Sequence, residues 1–153
     1  ALQIARHIGA EITATCSEAN HPLAHKLGAD RVTDYRKGRP DGPFDVVMDV
    51  MGRLGWPGAR PLLAPGGRLL QITASLPEVL SAALRPHRQG RKVIAGTSGE
   101  SKEKMARLIA LHDAGAYRPV VSQCLPFTDL AQAHALAETF HKPGNLVVEM
   151  VAP

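Results

Sequence analysis

The sequence is short of three things, and each shortage closes a class of function. It holds two cysteines, Cys16 and Cys124, far apart and outside any Cys-x-x-Cys pair. That count excludes a four-cysteine zinc site and favours reduced thiols of a cytoplasmic protein over a disulfide. Aromatic residues amount to one tryptophan, two tyrosines and three phenylalanines. The densest basic stretch, HRQGRK at 87–92, has none interleaved and so lacks the stacking platform that holds single-stranded nucleic acid. A solvated loop, or a groove for an anionic cofactor, accounts for it instead, and no nucleic-acid partner is expected. No apolar run approaches the roughly 18 residues that span a bilayer, and no basic-then-apolar leader opens the chain, so no membrane partner is expected either.

What is present describes a globular domain. The 153 residues are 44% apolar and 21% charged, enough for one domain with a real core. The chain opens with ALQIARHIGAEITATCS, in which Leu2, Ile4, Ala5 and Ile8 recur at helical spacing and Gly9 stands where a helix stops. A strand follows at 11–15. Further along, the pattern predicts a helix over 22–27 closed by Gly28, a strand at 31–35, and a strand FDVVMDV whose apolar centre suits burial on both faces. A brief helix at 58–63 ended by Ala-Pro-Gly-Gly, a strand RLLQIT, a polar-basic helix or loop at 76–89 and strand Lys92–Ala95 come next. Ser101 is placed to cap a helix carrying Met105, Leu108 and Ile109, with Gly115 ending it. The remainder reads as a strand in RPVVSQCLPF, a helix opened by a capping box from Asp129 to Gln132, and a last strand at 145–151. Strands alternating with helices predict an α/β fold with a mainly parallel sheet.

In such a sheet, ligands bind at the carboxyl ends of the strands. Those ends are Thr15-Cys16-Ser17, Tyr35, the stretch from Asp49 to Gly52, Thr73-Ala74-Ser75 and Gly96-Thr97-Ser98. Small, hydroxyl-bearing and glycine residues dominate them. A site for NAD places an acid at the end of its second strand, against the ribose 2′-hydroxyl. Here that strand stops at Ser17. A hydroxyl can donate to a 2′-phosphate, whereas a carboxylate would repel it. Glu18 works against this reading, Arg36 and Lys37 work for it, and the balance points to NADPH rather than NADH.

The ordered set QIARHIGAEITATCSEAN, LGADRVTDYR, FDVVMDVMGR, LLAPGGRLLQITAS, AGAYRPVVSQCLPFTDLAQAHALAE and HKPGNLVVEMV resembles the C-terminal part of a medium-chain dehydrogenase/reductase. More narrowly, it is similar to the zinc-free quinone-oxidoreductase-like, NADP-dependent alcohol dehydrogenase-like branch. The resemblance implies a Rossmann-like doubly wound sheet lacking its first strand and Gly-rich turn, since in that family both lie directly before a helix like the one at residue 2. Residues 1–118 would be a partial dinucleotide-binding domain, and 119–153 a segment returning to a GroES-like catalytic domain. The chain is then expected to be a fragment or the product of a truncated gene. The implied cofactor residues are Ser17 at the 2′-phosphate, Tyr35 near the adenine, Val50 and Gly52 beneath the cofactor, and Thr73 and Ala74 beside the nicotinamide ribose. Thr97 and Ser98 would lie near the nicotinamide, and His141 and Lys142 in a loop closing over the cofactor. Val50 stands where relatives often carry Asn. The resemblance also implies hydride transfer between NADPH and a small-molecule quinone, enone, carbonyl or alcohol. It names no acid or base among these residues, and it suggests a homodimer through Lys92–Ala95.

Rival readings rest on thinner patterns. His21 and His25 are spaced to face one metal, but Pro22 lies between them and no third ligand is near, so no metal is expected. AGTSGES lacks the Gly-x-Ser-x-Gly order of a nucleophile elbow. FDVVMDV followed by LLAPGGRLL also suits a class I methyltransferase, but that fold wants an acid at the end of its second strand. A non-catalytic interaction module is the remaining alternative.

Overall fold

The apolar periodicities are brief, and the elements they form are short. The computed structural model describes residues 1–75, 77, 79–80, 88–95, 99, 101–139 and 143–150. In chain order it contains α1 (Leu2–His7), β1 (Thr13–Cys16), α2 (His21–Lys26), β2 (Arg31–Asp34), β3 (Phe44–Asp49), α3 (Gly55–Ala59), β4 (Leu63–Gln71) and β5 (Lys92–Ala95). It continues with α4 (Lys102–Asp113), β6 (Val121–Pro126), α5 (Leu130–Glu138) and β7 (Asn145–Glu149). Every strand pairing among the described residues is parallel, as expected of an α/β fold of Rossmann type. The chain divides into two compact units, Ala1–Arg39 with Lys102–Pro153, and Pro40–Ser101.

In the first unit β1 pairs with β2 from Thr13 opposite Arg31 to Cys16 opposite Asp34. Ile12, Ala24 and Ala29 are its buried centre, with Leu2, Ala5, Ala14 and Val32 around them. Gly28 turns the chain from α2 towards β2 at φ +108°, with the Arg6 side chain 3.0 Å from where a Cβ would sit. Only glycine meets both demands without strain. Asp30 then fixes the register. Its Oδ2 accepts the Ile12 amide at 2.8 Å, its Oδ1 accepts from Arg6 at 2.8 Å, and its own amide donates to the Ile12 carbonyl.

These donors hold the Asp30 carboxyl below its ordinary value, the Ile12 amide first and Arg6 after it, against partial desolvation. A depressed folded-state value stabilises the protein above the unfolded value and loses that contribution as pH falls through the folded one. Stability measured by denaturant unfolding from pH 6 down to 2 should therefore drop through the acid range in wild type. Asp30→Asn should lack that portion of the drop, and superimposable profiles would remove Asp30 from the account.

The Gln3 side chain joins α1 to the approach to β6, donating to the Arg118 carbonyl at 2.8 Å and accepting its amide at 2.7 Å. β6 and β7 pair in parallel from Val121 to Pro126. Gly115 ends α4 at φ +72°, its amide bonded to the His112 carbonyl. That helix buries none of its residues, and Met105 and Ile109 are more than half exposed. The capping box at Asp129 does not form. Residues Phe127–Asp129 make a 3₁₀ turn, Asp129 lies at φ −100°, ψ 19° rather than in the extended region a cap needs, and its carboxylate accepts from Thr128.

The second unit is a three-stranded sheet in the order β3-β4-β5. Ala59, Leu63 and Leu69 are fully buried at its centre, with Val47, Trp56 and Val93 against them. Two expectations need correction. The strand expected from Arg68 starts at Leu63, opposite Phe44; Ala-Pro-Gly-Gly is carried as an irregularity, and even pairing resumes at Val46 opposite Arg68. The helix before it accordingly lies earlier, at Gly55–Ala59. β3 is also not buried on both faces. It pairs only with β4 among the described residues, and Val46 is 53% exposed.

The described residues thus form a two-stranded sheet β1-β2 and a two-stranded sheet β6-β7 in the first unit, and the three-stranded sheet β3-β4-β5 in the second.

Candidate nucleotide-binding site

At the carboxyl end of the first unit's β1-β2 sheet, Cys16 lies opposite Asp34, so the residues that follow, Ser17 and Tyr35, stand at neighbouring strand tips. Ser17 is half-buried and opens a 3₁₀ turn, Glu18–Asn20. Its Oγ accepts from Asn20 Nδ2 at 3.2 Å, and among the described residues no acceptor takes its proton. The hydroxyl is thus oriented by one neighbour and left with a hydrogen to donate. Asp34 is buried, but its carboxylate points back into the turn, taking the Arg36 amide at 2.8 Å while its carbonyl takes that of Lys37. It is therefore spent on shaping residues 35–37. Burial, and then the Asp34 charge, push the Cys16 thiol up. Tyr35 is 55% exposed, with the Arg36 guanidinium 5.6 Å from the centre of its ring. Lys37 pairs with Glu18 at 3.3 Å.

At the carboxyl end of the second unit's sheet, the Ile72 amide extends the ladder to the Asp49 carbonyl. Thr73 Oγ1 then donates to the Val50 carbonyl at 3.0 Å. Gly52, at φ +67°, fits against this pair, for a Cβ there would stand 2.8 Å from the Thr73 carbonyl oxygen and 2.9 Å from its Oγ1. Val50, Gly52 and Thr73 are thus brought together, and Ala74 follows the bend at Ile72 and Thr73. Val50 contributes through its carbonyl, its side chain being exposed. Asp49, buried at the strand end, accepts the Leu54 and Gly55 amides at 2.9 and 3.0 Å. It pins the loop that presents Gly52, a role the sequence reading did not assign. An acid closing an apolar strand just before a glycine-containing loop is the signal that would have suggested it.

Thr97, Ser98, His141 and Lys142 lie outside the described residues. An open cavity of about 450 Å³ in the second unit is lined by Pro57, Arg60, Pro61, Gln89 and Arg91. Arg91 binds the Leu63 carbonyl, where β4 begins, so this cavity is at the amino ends of the strands and apart from the tips.

A parallel α/β fold with hydroxyl and glycine residues at its strand tips belongs to the nucleotide-binding class. The model of the zinc-binding dehydrogenase family matches residues 27–148, and the chain belongs to that family, as part of the C-terminal portion of the medium-chain dehydrogenase/reductases. It is 28% identical to the human "NAD(P)H oxidoreductase RTN4IP1, mitochondrial", over 99% of this chain and 44% of that protein. It is 27% identical to "Quinone-oxidoreductase QR1, chloroplastic" of Triphysaria versicolor, over 97% of this chain and 48% of that one. Among solved structures, an NAD-dependent alcohol dehydrogenase superposes with a TM-score of 0.74 at 26% identity, covering 98% of this chain and 47% of that one. The chain spans about half the length of the curated relatives it matches.

The family description names zinc, for which the described residues offer no ligand set. Among the described residues no group of three or more His, Cys, Asp or Glu could hold a metal ion. A His25 ring nitrogen lies 3.0 Å from the Ala29 carbonyl, and His21 Nε2 is buried with no hydrogen-bond partner among the described residues. No helix among the described residues is long and apolar enough to cross a membrane.

Proposed function

We propose that the chain is the cofactor-binding portion of an NADPH-dependent oxidoreductase of the quinone-oxidoreductase-like branch. Hydride would pass between the nicotinamide and a quinone, enone, carbonyl or alcohol. The observation that carries this is the tip of β1, where Ser17 presents a free hydroxyl hydrogen and the nearest buried acid, Asp34, is turned away into its own loop. A donor there suits a 2′-phosphate. When bound, the nicotinamide supplies the hydride chemistry, and the work of these residues is to hold it still. Ser17 and Tyr35 serve the adenosine end. Gly52 gives close approach, and the Thr73–Val50 bond keeps the loop beneath the cofactor in place.

The flanking parts of the reading follow the family. The segment from about residue 119 returns to a GroES-like catalytic domain that chooses the substrate. Strand β5 offers the edge for a homodimer, since it pairs only with β4 among the described residues and Ile94 is half exposed. Two free thiols suit a reducing compartment, and we read the protein as cytoplasmic.

Nicotinamide fluorescence tests the proposal. Full-length protein titrated with NADPH and NADH should prefer NADPH by at least about tenfold, the worth of one charge-assisted hydrogen bond. Residues 1–153 alone should bind more weakly, because β1 and β3 each have one strand neighbour among the described residues. Equal affinity for the two nucleotides would overturn the NADPH reading.

A further inference from the structure

The acid beside Ser17 is the puzzle of this site. Glu18 directly follows the hydroxyl, where an anionic ligand would want no negative charge. The structure turns it sideways, its Oε2 on Lys37 Nζ at 3.3 Å, with both side chains about 70% exposed. Lys37 itself is not loosely placed. The Asp34 carbonyl and carboxylate hold the turn of residues 35–37 to the tip of β2, so its backbone is fixed beside the tip that bears Ser17. The 3₁₀ turn and the Asn20–Ser17 bond likewise fix the backbone that carries Glu18. Two short rigid turns thus face one another across adjacent strand ends. One brings a hydroxyl and an acid, the other an aromatic ring and two cations.

From this arrangement we infer that Glu18 sets the strength of the preference for a 2′-phosphorylated nucleotide, by competing with the phosphate for Lys37. The inference rests on the NADPH reading of the same site. A monophosphate ester carries about −1.5 to −2 charge near neutral pH. Arg36 and Lys37 offer it two positive charges, and Glu18 offsets one of them. Both partners of the Glu18–Lys37 pair are solvated, so the pair is weak and can open. Lys37 then moves from carboxylate to phosphate while Ser17 Oγ donates to the same group. The acid moderates both the affinity for the 2′-phosphate and the preference it confers, which suits a cofactor that must leave after each turnover.

The test is nucleotide titration of full-length wild type, Glu18→Gln and Lys37→Met, with NADPH, NADH, adenosine 2′,5′-bisphosphate and AMP as probes, folding being checked by circular dichroism. Glu18→Gln should raise the NADPH-over-NADH affinity ratio about three- to tenfold, the effect of removing one screened charge near a phosphate. The ratio of adenosine 2′,5′-bisphosphate to AMP should move in step. Lys37→Met should lower both ratios by a similar factor, and in the Lys37→Met background Glu18→Gln should gain less than it does alone. An unchanged or lowered ratio in Glu18→Gln, or an equal gain for both nucleotides, overturns the role of Glu18. A wild type that does not distinguish NADPH from NADH overturns the parent reading instead, so the two failures are told apart by the wild-type titration.

Discussion

Replacing Ser17 by aspartate is expected to shift the NADPH-over-NADH affinity ratio of the full-length protein about a hundredfold towards NADH. Two losses and one gain add up to this. The hydroxyl now donates nothing to the phosphate, and a charge-assisted hydrogen bond is worth about 1.5–3 kcal/mol. The new carboxylate also repels the phosphate at close range. In return it accepts from the free ribose 2′-hydroxyl of NADH, as acids at this strand end do elsewhere in the fold class. Together about 2.7 kcal/mol is a factor of a hundred. Asn20, which bonds Ser17 Oγ, can donate equally to a carboxylate, so the variant should keep its turn and its fold. Titrations of both nucleotides check this, and a ratio that stays within threefold of wild type removes Ser17 from the phosphate site.

The parts of the fold that could be read from the chain are those that depend on neighbours in sequence. Strand β5 follows from a short β-branched run between polar ends, and the stop of α1 at Gly9 and of α4 at Gly115 from glycine alone. What could not be read depends on pairing. Ala-Pro-Gly-Gly has the chemistry of a turn, yet Leu63 before it already pairs with Phe44, and the strand absorbs the four residues as a bulge. FDVVMDV looks buried because its centre is apolar, but burial is decided by what packs over each face of the sheet, and Val46 and Met48 on one face of β3 stay 53% and 45% exposed while Val47 and Asp49 on the other turn inward. Asp129 has the right residue type and spacing for a capping box, and lost its role to a dihedral angle.

The site divides along the same line. Ser17 and Tyr35 were visible as strand ends, and the Cys16–Asp34 register makes them neighbours. Glu18 looked like a simple objection to a phosphate site. Its pairing with a lysine 19 positions away turns it into a tuning group, and no local pattern announces such a pair. Asp49 was legible only as the last residue of a strand, because its two amide partners lie five and six residues on, in a loop whose course sequence does not dictate.

Gly52→Ala tests whether the loop after β3 is as tightly constrained as the geometry requires. At φ +67° an L-residue is strained by about 1–2 kcal/mol. The added Cβ would also meet the Thr73 carbonyl at 2.8 Å and Oγ1 at 2.9 Å, and a carbonyl held in the strand tip cannot step aside as a flexible side-chain end would. Either the loop lifts or Thr73 swings, and in both cases the 3.0 Å bond from Thr73 Oγ1 to the Val50 carbonyl is lost. The sum is an expected destabilisation of about 2–4 kcal/mol, measured by urea unfolding. NADPH affinity should fall by at least about tenfold, because the displaced atoms are those proposed to lie beneath the cofactor. Thr73→Ala in the same background separates the two contributions. It removes Oγ1 but leaves the carbonyl, so it should recover a minor share of the loss when the carbonyl is the harder obstacle. A Gly52→Ala protein within about 0.5 kcal/mol of wild type would mean that the loop yields freely, and a loop that yields cannot be what holds a nicotinamide in line for hydride transfer.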